Sequence, residues 1–164
     1  MCWTCDHPGS NRLDWFDHLR GLITTYGWAI QGVEGVEGDR VHPPWAYTVG
    51  LTPLGRPELV VTGLALDRAT KLLNGVSAHV LHSCAPAPGE QIPLRGGPLV
   101  EIVELPHPDA HLESAIALYG VEIRALQLVR ADDRGRWPWE RGYRGGRGGQ
   151  PVLGPRAVSS RPRP

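Results

Sequence analysis

The chain has 164 residues with 17 Lys+Arg, 17 Asp+Glu and an apolar share of 41%. That length fits one domain, and a domain of about 150 residues buries roughly 70% of its unfolded surface without needing a disulfide staple. No apolar run approaches the roughly 20 residues that span a bilayer, and the opening Met1-Cys2-Trp3-Thr4-Cys5-Asp6-His7-Pro8 lacks the basic and apolar regions of a secretory signal, so the reducing cytoplasm is the expected setting.

The elements follow in chain order. Ser10 or Asn11 caps a first helix with Leu13, Phe16, Leu19, Ile23 and Tyr26 on its apolar stripe, and Gly27 ends it. Strands are expected at Trp28–Val33, Trp45–Leu51 and Glu58–Leu64, the last two forming a hairpin through the turn Leu54-Gly55-Arg56-Pro57. Asp67 is the expected cap of a second helix carrying Ala69, Leu72, Leu73, Val76 and Val80. Two short strands follow at Gln91–Leu94 and Leu99–Leu105. Asp109 is the expected cap of a brief third helix with Leu112, Ala115, Ile116 and Tyr119 inward and Gly120 as its stop, before a last strand at Ile123–Val129. Strands in adjacent pairs, rather than in strict alternation with helices, predict an α+β fold with a mostly antiparallel sheet and three helices packed on it. Residues 131–156 read as a Trp/Arg/Gly-rich loop belonging to a single domain of residues 1–156, and 157–164 as a disordered tail.

Charge is uneven along the chain. Residues 1–123 carry 7 Lys+Arg against 14 Asp+Glu, and residues 124–164 carry 10 against 3. The basic end therefore either folds onto its own acidic body or meets an anionic partner. Arg134, Arg136, Trp137, Trp139, Arg141, Tyr143 and Arg144 interleave cations and aromatics as single-stranded nucleic-acid binders do. Two tryptophans flanking Pro138 are costly to leave in water, so a loop stapled onto the body is favoured over a nucleic-acid partner.

Chemistry concentrates in two places. Cys2, Cys5 and His7 place two thiolates and an imidazole on a tight turn, a donor set that suits zinc, but three ligands do not close a tetrahedral shell. His107 and His111 are the leading remote candidates for the fourth ligand, with His79, His82 and Cys84 behind them. Placed in the first turn of the third helix, His111 would be kept neutral by the helix dipole and so competent as a ligand. The alternatives are a thiol redox pair at Cys2 and Cys5, and a processed N-terminus in which the Cys2 amine serves as its own base. Tyr47 and Asp109 are the candidate proton-transfer groups. No nucleophile elbow, phosphate loop, dinucleotide fingerprint or His-Glu-x-x-His is present.

Several of these segments together resemble a bacterial, largely actinobacterial, family known only as a domain of unknown function. They are Cys2-x-x-Cys5-Asp6-His7-Pro8, Trp45-Ala46-Tyr47-Thr48-Val49-Gly50-Leu51, Pro57-Glu58-Leu59, Thr62-Gly63-Leu64, His107-Pro108-Asp109-Ala110-His111-Leu112, Leu126-Gln127-Leu128-Val129, Trp137-Pro138-Trp139 and Gln150-Pro151-Val152-Leu153-Gly154. Trp45 stands where the pattern leads one to expect Phe. The resemblance implies one intact domain over residues 1–156 and supplies no activity. The expectation is a small zinc-binding protein, either a metal-dependent hydrolase or related enzyme acting on a small molecule or protein, or a non-enzymatic binding module with a structural metal or a redox pair.

Overall fold

The first helix signal lies at Ser10-Asn11, and the computed structural model, which describes residues 7–157, begins α1 (Arg12–Tyr26) there. Asn11 accepts the amides of Leu13 and Asp14 while Asp14 accepts the Asn11 amide, so two otherwise orphaned donors are satisfied reciprocally. Gly27 closes the helix at φ 90°, a conformation that favours glycine. The buried stripe differs from the expected one. Leu13 and Tyr26 are exposed, and Trp15, Phe16, Leu19, Leu22 and Ile23 face the sheet. Both stripes have helical spacing, and only the direction of packing distinguishes them.

Six strands follow among the described residues: β1 (Ala29–Val33), β2 (Trp45–Val49), β3 (Glu58–Thr62), β4 (Gln91–Pro93), β5 (Leu99–Glu104) and β6 (Ala125–Arg130). The other α-helices among the described residues are α2 (Leu66–His82) and α3 (Glu113–Tyr119). The strands form one sheet in the order β1-β2-β3-β6-β5-β4, antiparallel throughout except for the central parallel pair β3 and β6. This is the expected α+β class. The predicted hairpin is β2–β3, turned by a short 3₁₀ segment at Thr52–Leu54.

The two faces are covered differently. Ala69, Leu73, Val76 and Val80 of α2 pack on Leu59, Val61, Ile102, Leu126 and Leu128. On the other face, α1 and α3 cover Tyr47, Val49, Val60 and Ala125, and the loop after β6 covers Val103, Val129 and Ala131 with Trp137. Two expected caps are corrected. The α2 N-cap is Ala65, with Asp67 already inside the helix and no side-chain cap bond. Asp109 lies in a 3₁₀ turn, Pro108–Ala110, and α3 begins only at Glu113. Pro108 starts that tighter turn, which displaces the helix by several residues.

Two glutamines hold the final segment. Gln127 donates to Thr62 Oγ1 and to the Pro151 carbonyl and accepts the Leu153 amide; Gln150 accepts the Arg130 amide and donates to its carbonyl and to the Tyr143 hydroxyl. Trp137 and Trp139 stack at 5.4 Å, and the Arg156 guanidinium lies 3.8 Å over Trp139 while pairing with buried Glu101. Arg144 pairs with Glu37. Part of the basic end thus folds onto the acidic body, as the charge distribution allows.

Asp132 is the hub of this loop. Its carboxylate accepts the amides of Arg134, Arg136 and Arg144 and pairs with the Arg136 guanidinium. Partial burial pushes its pKa up, but the Arg136 and Arg144 amides, the Arg136 guanidinium and the Arg134 amide outweigh that and hold it well below the usual carboxylate range. Its contribution to stability is therefore complete above the unfolded aspartate pKa of about 3.9 and is lost as pH falls through the lower folded value. Asp132→Asn removes this dependence and loosens the loop at neutral pH. The expected result is faster tryptic cleavage at Arg134–Arg147 in the variant, with a wild-type tryptophan signal flat from neutrality down to the ordinary aspartate range.

Candidate functional site

The antiparallel run β1–β2, with α1 on one side, leaves a cleft of about 1360 Å³ at the free side of the sheet. Its lining includes Ser10, Asn11, Arg12 and Trp15 at the start of α1 and Ile30 to Gly35 of β1 and the turn beyond. Glu37, the β2 residues Trp45 and Tyr47, Leu64 to Leu66, and Asp109, His111, Glu113 and Ser114 also line it. Three residues expected from the sequence as chemically active, Tyr47, Asp109 and His111, thus line one cleft although they come from separate parts of the chain.

Each is positioned by the local backbone. Tyr47 is buried, and its hydroxyl accepts the Ser114 amide at 3.1 Å. Burial raises its pKa despite that hydrogen bond, so at neutral pH it is a phenol with a proton to donate rather than a base. His111 lies just before α3, not in its first turn, so the expected dipole effect does not apply to it. Its carbonyl accepts the Trp45 indole N–H at 3.3 Å, which fixes this segment against β2. Asp109 is exposed on the 3₁₀ turn. His107 is also exposed and does not line the cleft.

Cys2 and Cys5 lie outside the described residues. His7 is exposed and opens a turn in which the Ser10 amide and hydroxyl both bond to its carbonyl. Its ring stands 6.4 Å from that of His18, which packs beside Trp15. Among the described residues no group of three or more His, Cys, Asp or Glu side chains is arranged to hold a metal ion. His79, His82 and the exposed Cys84 sit at the C-terminal end of α2, on the sheet face opposite α1 and α3. That placement separates them from the segment leading to Cys2, Cys5 and His7.

Thr48, the neighbour of Tyr47, is not available for chemistry. Its hydroxyl donates to Glu58 at 2.6 Å and accepts the Leu59 amide at 2.8 Å. Glu58 is itself buried and also accepts the Gly50 amide and both the amide and hydroxyl of Thr52. It is a structural staple of the β2–β3 hairpin. The one signal for it in the sequence is an acidic residue opening an otherwise apolar strand.

The fold and cleft define a single-sheet α+β domain with a concave site at its free sheet edge. The chain belongs to the family described as Domain of unknown function (DUF4262), which matches residues 22–144. That match contains Tyr47, His107, Asp109 and His111 and ends short of Cys2, Cys5 and His7. Comparison with curated proteins and with solved structures found no match. Among the described residues, no helix is long and apolar enough to cross a membrane.

Proposed function

We propose that this protein is a zinc-binding domain whose cleft receives a ligand, the metal being held at the rim by Cys2, Cys5 and His7 with His111 as the remote ligand. One observation carries the reading: Ser10, Asn11 and Arg12 line the same cleft as His111, Asp109 and Tyr47. The chain bearing the thiols therefore enters the fold at the rim of that cleft. Eight residues of extended chain reach at most about 29 Å, enough for Cys2 to return to the cleft from Ser10. His111 is preferred to His107 because only His111 lines the cleft.

Zinc supplies a cross-link when all four positions are protein ligands, and Lewis-acid chemistry when one is open to a substrate. In either case Tyr47 donates a hydrogen bond to a ligand in the cleft, and Asp109, which lines it, is the carboxylate that accepts a proton. Metal analysis of protein purified without added metal tests the proposal. Stoichiometric zinc is expected in the wild type, with most of it lost in Cys5→Ser and in His111→Ala but not in His107→Ala. A wild-type protein without stoichiometric metal overturns the reading.

A further inference from the structure

We propose that the free edge of β1 is a peptide-binding groove, which takes an extended, basic segment of a partner protein as an added strand. The inference rests on the cleft being the functional site and is independent of zinc.

Among the described residues β1 pairs only with β2. In an antiparallel pair alternate residues direct their amide and carbonyl away from the partner, so part of the Ala29–Val33 backbone faces outward. Such edges are normally covered or charged, because they template the addition of another strand. Here the edge is instead the floor of a groove. The main cleft runs past Ile30 to Gly35, and a second hollow of about 480 Å³ continues past Trp28 to Ile30. Ile30 and Leu66 line both, so the two hollows adjoin along β1.

Side chains along this path suit a peptide. Gln31 donates to the neighbouring Gly32 carbonyl at 2.9 Å, while its Oε1 is buried and has no partner among the described residues. A donor from a bound segment can reach it once the Gln31 amide turns toward the groove. A Cβ on Gly32 would stand 2.6 Å from the Leu66 Cδ1, so a larger residue there would push the Leu66 side chain aside. At the far end Leu22, Tyr26 and Leu66 form an apolar wall, with Tyr26 largely and Leu66 partly exposed.

Charge identifies the occupant. The charged side chains lining the cleft are Arg12 against Glu34, Glu37, Asp109 and Glu113. Arg12 pairs with Glu113, and Arg68 and Arg144 pair with Glu37. Glu34 and Asp109 have no ion pair among the described residues, so the groove presents uncompensated negative charge. A strand of six residues spans about 20 Å, and recognition by strand addition takes affinity from backbone hydrogen bonds and selectivity from alternate side chains. The fitting segment alternates Lys or Arg with Val or Ile.

The test uses the full chain and a fluorescein-labelled peptide, acetyl-Arg-Val-Lys-Ile-Arg-Val-Lys-amide, read by anisotropy. The expected result is saturable binding that N-methylation of one alternate set of peptide amides abolishes and of the other set spares. Glu34→Lys combined with Asp109→Lys, both exposed, weakens binding about tenfold or more, each factor of ten being 1.4 kcal/mol. Equal binding of the analogue with Glu in place of Arg and Lys overturns the proposal. So does insensitivity to N-methylation at both sets, or no binding at millimolar peptide. Run on Cys5→Ser as well, the measurement separates the two readings: a chain that has lost zinc and still binds the peptide upholds the groove whatever the metal does.

Discussion

Glu58→Ala is expected to destabilise the protein by about 3–5 kcal/mol, a large part of the 5–15 kcal/mol that holds a typical domain together. The side chain is fully buried and is the acceptor for four donors: the Thr48 and Thr52 hydroxyls and the Gly50 and Thr52 amides. Alanine leaves these donors without an acceptor and opens a cavity beneath the hairpin. Glu58→Gln keeps an acceptor but turns an amide N–H toward one of the donors, so a loss of about 1–2 kcal/mol is expected. Burial pushes the Glu58 carboxyl above its ordinary value, although the Thr48 hydroxyl, the Thr52 amide and hydroxyl and the Gly50 amide act against it. A folded pKa above the unfolded one gives stability that is complete below the unfolded pKa and lost as pH rises through the folded value. Denaturant titrations should therefore show a larger deficit for Glu58→Gln at pH 4 than at pH 7. A deficit that grows with pH would mean that the four donors outweigh burial.

Gly63→Ala is expected to cost a similar amount and to release the final segment. Gly63 has φ +68°, and an added Cβ would lie 1.9 Å from the Gly149 carbonyl oxygen and 3.0 Å from the Gln150 Cα. Those neighbours are backbone, which cannot rotate aside as a long side chain can. Residues 149–151 must move, and their movement breaks the bonds from Gln150 to Arg130 and from Gln127 to Pro151. A left-handed alanine costs about 1 kcal/mol and each lost bond a similar amount, giving about 3–5 kcal/mol in all. Rapid tryptic cleavage between Arg134 and Arg147 and a changed Trp137–Trp139 fluorescence are the expected readouts. An unchanged digestion pattern would show that the segment is held from elsewhere.

Local signals carried much of the architecture. The Asn11 cap, the glycine stops at 27 and 120 and the apolar strands are all where the residues indicate, because each depends on neighbours within a few positions. Signals that depend on distant contacts did not carry. Leu13 and Trp15 are equally good helix stripes until the sheet decides between them. Asp67 and Asp109 have the chemistry of caps, but Ala65 and Pro108 set where their segments turn. The parallel contact of β3 with β6 joins strands separated by a helix, a hairpin and another helix, and no residue spacing reports it. Gln127, a lone amide between leucines in an apolar strand, was a readable sign of a buried polar clamp, though not of its partners Thr62, Pro151 and Leu153.

The candidate site was legible as chemistry and not as geometry. Tyr47, Asp109 and His111 could be singled out by type, but their sharing of one cleft follows from the strand order and from the Trp45 indole bond that fixes the 108–112 segment. The open edge of β1 had no sequence signal, since an edge strand and an interior strand of five residues read alike.

Zinc-edge X-ray absorption on the purified full-length chain tests the central claim most directly, because it reports which atoms surround the metal. The proposed site predicts a mixed shell of sulfur from Cys2 and Cys5 with imidazole nitrogen from His7 and His111, the nitrogen contribution falling in His111→Ala. A shell of light atoms without sulfur, or one that His111→Ala leaves unchanged, would contradict it.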